Sequence, residues 1–117
     1  MPMPMPMPMP MPDWTAAASR GAMPMNAIWK GQVVAQSDDT VLVEGNHYFP
    51  AAALDQRFVL PSNSRTMCSW KGEARYMTLF VAGDTLPDAV WTYPEPREAA
   101  ASIQGRVAFG RGVQVVE

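Results

Sequence analysis

The chain has 117 residues, nine Lys and Arg against eleven Asp and Glu, and a formal net charge of −2, which leaves room for one folded domain. Its single cysteine excludes an internal disulfide framework and a thiolate zinc cage. The basic residues are scattered from Arg20 to Arg111 and form no phosphate-neutralising stripe, so nucleic acid is not an expected partner.

Residues 1–12 are six copies of Met-Pro. Each position is Pro or precedes Pro, which favours an extended polyproline II rod. Met at every second position winds around all faces of such a rod. The repeat reads as a low-complexity extension without a fixed fold. A tether for a protein partner is the second reading, and thioether capture of a soft metal the third. Residues 1–25 are therefore set apart as tail and linker, and residues 26–117 as a single β domain. The longest unbroken apolar run is too short to span a bilayer. No charged stretch leads into an apolar one at the start. Neither a membrane partner nor a signal peptide is expected, and a reducing cytoplasm is the expected compartment.

Trp29-Lys30-Gly31 leads into the β-branched run 32–36, Ser37-Asp38-Asp39 supplies turn residues, and a second run occupies 40–44. The two runs predict an antiparallel hairpin about the Asp-Asp turn. His47-Tyr48-Phe49 predicts a short third strand. Pro50 suits the start of a helix over 51–57, and Leu54 and Phe58 would share a face. Pro61 ends that element, with Ser62-Asn63-Ser64 as a loop. A strand with a tight bend follows over 66–76, with Gly72 at the bend. Residues 74–81 are largely apolar in both alternating sets, which predicts a central strand buried on both faces. Gly83-Asp84 turns the chain, and 88–93 is extended until Pro94-Glu95-Pro96 stops it. Residues 97–104 predict a second short helix ending at Gly105. Residues 106–109 and 113–116 predict a final strand pair around Gly110-Arg111-Gly112. The fold class expected is mainly β: a compact folded-over antiparallel sheet or small barrel with two short helices.

Chemistry concentrates between Thr66 and Tyr76. A nucleophilic thiol at Cys68 needs a base or a cation nearby, and Lys71 and His47 are the residues to supply it. Alternation along a strand points Cys68 and Trp70 one way and Lys71 and Glu73 the other. Only a bend at Gly72 turns the amine toward the thiol. Lys71 with Glu73 or Glu44 reads first as a solvated surface pair, and otherwise as a buried ion pair or as anion capture by the amine. Metal-dependent nucleotidyl transfer needs converging carboxylates. Asp38, Asp39 and Glu44 are the carboxylates available, but Asp38-Asp39 has ordinary turn chemistry and no Gly-rich phosphate loop accompanies it. No metal site and no cofactor are expected. Trp29, Trp70 and Trp91, with Tyr48, Tyr76 and Tyr93, are many aromatics for a domain this small. Core packing accounts for most of them. The functional reading is a cleft lined by Trp70, Trp91, Tyr93 and Tyr48 with Lys71 and Glu44 at its rim, suited to a small molecule or peptide. The expected function is a binding or accessory module. The alternative is an enzyme, either nucleotidyltransferase-like or using Cys68, with Cys68, Lys71 and Glu44 as catalytic candidates.

Several segments carry a resemblance in order and spacing. They are Trp29-Lys30-Gly31, Ala35-Gln36-Ser37-Asp38-Asp39-Thr40, Val43-Glu44-Gly45-Asn46-His47-Tyr48-Phe49-Pro50, Cys68-Ser69-Trp70-Lys71-Gly72-Glu73-Ala74-Arg75-Tyr76, Asp88-Ala89-Val90-Trp91-Thr92-Tyr93-Pro94-Glu95-Pro96 and Ile103-Gln104-Gly105-Arg106-Val107-Ala108-Phe109. Together they resemble the small bacterial family called domain of unknown function 427. The resemblance covers nearly all of 26–117 and leaves out the Met-Pro tail. It implies a compact β fold and carries a nucleotidyltransferase-like label. The chain departs from the family pattern at Ser69, at Met77 and at Gly110-Arg111-Gly112.

Overall fold

The structure, a computed structural model, describes residues 24–117. The Met-Pro repeat and the readings made of it lie outside these residues. Nine strands follow in chain order: β1 (Met25–Trp29), β2 (Gln32–Ser37), β3 (Val41–Val43), β4 (Asn46–Tyr48), β5 (Val59–Cys68), β6 (Gly72–Val81), β7 (Asp84–Thr92), β8 (Val107–Phe109) and β9 (Gln114–Val116). They form a sheet in the order β5-β6-β7-β8, a sheet in the order β2-β1-β9 and the hairpin β3-β4, and every strand pair is antiparallel. The fold is mainly β and antiparallel, and these sheets do not close into a barrel.

Two-residue loops set the pairing. Lys30-Gly31 has φ of 52° and 74°, Glu44-Gly45 has 53° and 80°, and Ala82-Gly83 has 51° and 85°. Positive φ at both central residues is the primed turn whose twist matches paired strands, and glycine takes the second position without a Cβ clash. These loops close β1-β2, β3-β4 and β6-β7. The hairpin expected between runs 32–36 and 40–44 is therefore not formed. β2 pairs with β1, and β3 with β4. Asp38-Asp39 is a crossing between two sheets, where the Ser37 hydroxyl accepts the Asp39 N–H at 2.9 Å.

Three other expectations change. The two helical segments are 3-10 turns, Ala51–Ala53, Gln56–Phe58 and Glu98–Ile103, the last kinked at Ala100. Asp55, fully buried, caps Gln56–Phe58: its carboxylate accepts the Arg57 N–H and pairs with the Arg57 guanidinium at 2.6 Å. Pro61 does not end an element. It sits inside β5, an edge strand, which tolerates its missing N–H and is irregular between Pro61 and Arg65. The final strands do not pair with each other. β8 joins β7, and the Gly110–Gly112 link carries β9 across to β1.

The predicted central strand is β6, between β5 and β7, and it serves two cores. One core packs Ala27, Val34 and Ala35 of β1 and β2 against Leu79, Val81, Val90 and Phe109. Phe49 meets Phe109 edge to face within it, with centroids 5.4 Å apart. On the other face, Tyr48, Ala74, Tyr93 and Ala108 pack under Ala100 and Ile103, with Cys68, Tyr76 and Trp91 at the margin. The β3-β4 hairpin joins β8 through a single antiparallel bridge, Phe49 to Val107. Among the described residues no helix is long and apolar enough to cross a membrane.

Candidate functional site

The break in the pleat that the sequence required is a full hairpin loop. Cys68 pairs with Gly72, and Ser69, Trp70 and Lys71 form the loop between them. A Cβ on Gly72 would lie 3.4 Å from the Glu95 carbonyl oxygen, and the Lys71 carbonyl accepts the Arg97 N–H at 2.9 Å. The loop is thus pinned on the Pro94-Glu95-Pro96 segment. This directs the Lys71 side chain inward, where it is only 12 % exposed.

Its Nζ lies 2.6 Å from Glu44 Oε1 and 5.4 Å from the ring centroids of both Trp70 and Tyr93. Of the two carboxylates offered by the sequence, Glu44 is the partner. Glu73 instead meets Arg65 and Arg75. Burial acts to lower the Lys71 pKa, but the Glu44 hydrogen bond and the electrostatic attraction of Tyr48, Tyr93 and Glu44 outweigh it and hold the amine above the ordinary lysine value. The Tyr93 phenol is raised by burial, with Lys71 opposing and Tyr48 and Cys68 adding to the rise. Cys68, Lys71, Glu44, Tyr48 and Tyr93 are therefore neighbours. The amine among them is a fixed cation and not a free base. His47 does not join Cys68. It pairs with Leu42 on the face of the hairpin opposite Tyr48, and its Nδ1 lies 3.0 Å from Thr40 Oγ1.

A second feature lies beside this cluster. A trough of about 650 Å³ opens between the β3-β4 hairpin and the end of β8. Gly45, Asn46 and His47 form one wall, and Phe109, Gly110 and Arg111 the other; Trp91, Val113 and Val115 complete it. The Trp91 indole N–H donates to the Tyr48 hydroxyl at 3.2 Å, which fixes the ring. Gly110 lies against the indole, since a Cβ there would be 3.4 Å from Trp91 Cζ3. Glu44 precedes the trough residue Gly45, so the Lys71 ion pair anchors one wall.

The six residues expected to line one cleft divide between these features. Trp91 lines the trough. Trp70, Lys71 and Glu44 gather at the β5-β6 loop. Tyr48 and Tyr93 are buried supports behind both. Sequence reasoning did not assign Phe109, Arg111, Val113 or Val115 to the site; the Gly110-Arg111-Gly112 departure was the signal nearest to them. Asp39 is held by Arg106. Among the described residues no three His, Cys, Asp or Glu side chains gather to hold a metal ion.

No curated protein matches the chain. A family model described as domain of unknown function (DUF427) matches residues 18–116. With well over half of its length matched, the chain belongs to the DUF427 family.

Proposed function

We propose that this domain is a binding module for a small molecule or peptide, and that the trough against Trp91 is its binding site. The observation that carries the reading is an indole edge fixed in advance inside a concave space of about 650 Å³, a volume usual for ligand pockets. A ring already held by Tyr48 loses little freedom when a ligand stacks on it. Lys71 supports binding over catalysis, since an amine held protonated by Glu44 serves as a cation and not as a nucleophile. The reading includes a bacterial cytoplasmic setting, supported by the family resemblance and by the unpaired thiol of Cys68.

The test is a screen of fragments, nucleotides with Mg²⁺ and short peptides against the ¹⁵N-labelled chain. Its four tryptophans give distinct indole N–H signals. A trough ligand is expected to shift the Trp91 indole and raise the melting temperature, and to do neither in a Gly110→Leu variant, whose added side chain meets Trp91. A screen in which no compound moves the Trp91 indole removes the reading. Turnover of a nucleotide in the same samples would replace it with the nucleotidyltransferase-like alternative.

A further inference from the structure

The trough carries fixed charge of one sign. Among the described residues that line it, Arg111 is the one guanidinium and none is an acid, although the chain as a whole has a net charge of −2. Acids of the neighbouring hairpin are engaged elsewhere. Glu44, beside Gly45 of the wall, holds Lys71 at 2.6 Å, and Asp39 meets Arg106. Arg111 itself forms no ion pair with another described residue.

The backbone that carries this guanidinium is nevertheless held. The Val113 N–H donates to the Gly110 carbonyl at 3.3 Å, which closes a four-residue turn with Arg111 and Gly112 at its centre. Gly112 has a φ of 95° and Arg111 is not in the left-handed region. Positive φ at the third residue alone is the type II turn, which glycine adopts without strain. A Cβ on Gly112 would lie 3.3 Å from Leu86 Cδ2, and the Gly110 N–H donates to the Ala89 carbonyl at 2.8 Å. Both glycines of the turn are thus seated on β7. Arg111 stands at the corner between them, with its main chain set and its charge unmatched among the described residues.

Trp91 sets the other half of the ligand. Its indole is fixed by Tyr48, and Val113 and Val115 line the trough beside it, a surface suited to a flat apolar body. Gly110 lies against this ring, and Arg111 is the next residue. Ring and cation are therefore within the span of one small molecule. The guanidinium fork matches the two oxygens of a carboxylate or phosphate. One such fork matches one acid group. A triphosphate would bring further charges to a lining that has no lysine and no second arginine.

We propose that the ligand of the trough is a small molecule with a flat apolar body and a single oxyanion group, its body against Trp91 and its carboxylate or phosphate on the Arg111 guanidinium. This rests on the trough being the binding site and adds the class of ligand.

The experiment titrates the ¹⁵N-labelled full chain with naphthoate, naphthyl phosphate, the neutral naphthamide and ATP with Mg²⁺. At least one naphthyl acid is expected to shift the Trp91 indole and to bind about tenfold more tightly than the amide. The tighter of the two identifies the oxyanion. Arg111→Gln should abolish that advantage and leave amide binding and the melting temperature as they were. Arg111→Lys, which keeps the charge without the fork, should retain part of it. An amide that binds as tightly as the acids, or a loss in Arg111→Gln that is equal for acid and amide, overturns the oxyanion. ATP binding more tightly than either acid overturns the single charge. Peptides or other fragments that shift Trp91 where no naphthyl acid does would keep the trough as the site and overturn the acid. No shift from any probe overturns both.

Discussion

Lys71 keeps its charge in a nearly buried position because Glu44 meets it there. Its folded pKa lies above the ordinary lysine value of 10.5. A raised lysine adds stability that is fully present below the unfolded pKa and is lost as pH rises through the folded one. Glu44→Gln takes away the carboxylate and leaves burial as the main influence on the amine, which then favours the neutral form. The variant is expected to be less stable than wild type by about 1 kcal/mol at neutral pH, since Glu44 is half exposed and its pair is partly screened. The gap should close above pH 10.5 as Lys71 deprotonates in wild type. Urea denaturation at both pH values checks this. A gap that is unchanged at high pH would show that Glu44 stabilises something other than the ammonium.

Strand positions were legible in the sequence because β-branched runs and Gly-bearing turns mark them, but strand partners were not. Asp38-Asp39 has turn composition and yet crosses between sheets, whereas Lys30-Gly31 and Glu44-Gly45 reverse the chain. What distinguishes them is positive φ at two successive residues, a handedness that composition alone does not display. The bend at Gly72 was legible as a glycine between strand-like flanks, and it accounts for Lys71 turning inward. The choice of Glu44 over Glu73 was not, because it depends on how the β3-β4 tip meets the β5-β6 loop. Ala82 offers a test of the turn argument. It holds φ of 51°, is exposed, and has a side chain that disfavours the left-handed region. Ala82→Asn, which gives the loop an Asn-Gly sequence, is expected to raise stability by about 0.5–1 kcal/mol in thermal or urea unfolding. No gain would mean that the β6-β7 loop does not hold the primed turn.

At the scale of the whole molecule, the trough is a consequence of how the sheets are joined. The Gly110–Gly112 link ends β8 and sends β9 to the far sheet, and the trough opens where β8 stops beside the β3-β4 hairpin. This could not be read locally, because the walls of the trough come from segments distant in sequence. The same link gives β9 two duties. It completes the β2-β1-β9 sheet, and through Val113 and Val115 it closes the trough. Neighbouring residues of β9 separate these duties from mere strand content, since alternate side chains point to opposite faces. Val115 is half buried against the larger core and lines the trough, while Val116 is 44 % exposed. Val115→Ala is expected to cost about 1 kcal/mol, the value of partly buried methyl groups, and to weaken whatever ligand shifts the Trp91 indole. Val116→Ala keeps the strand and its backbone pairing, and should change stability by less than about 0.5 kcal/mol and leave ligand binding as it was. Urea midpoints and indole titrations on the two variants make the comparison. Equal effects from both would mean that β9 acts only as a strand, and that its apolar face forms no working wall of the trough.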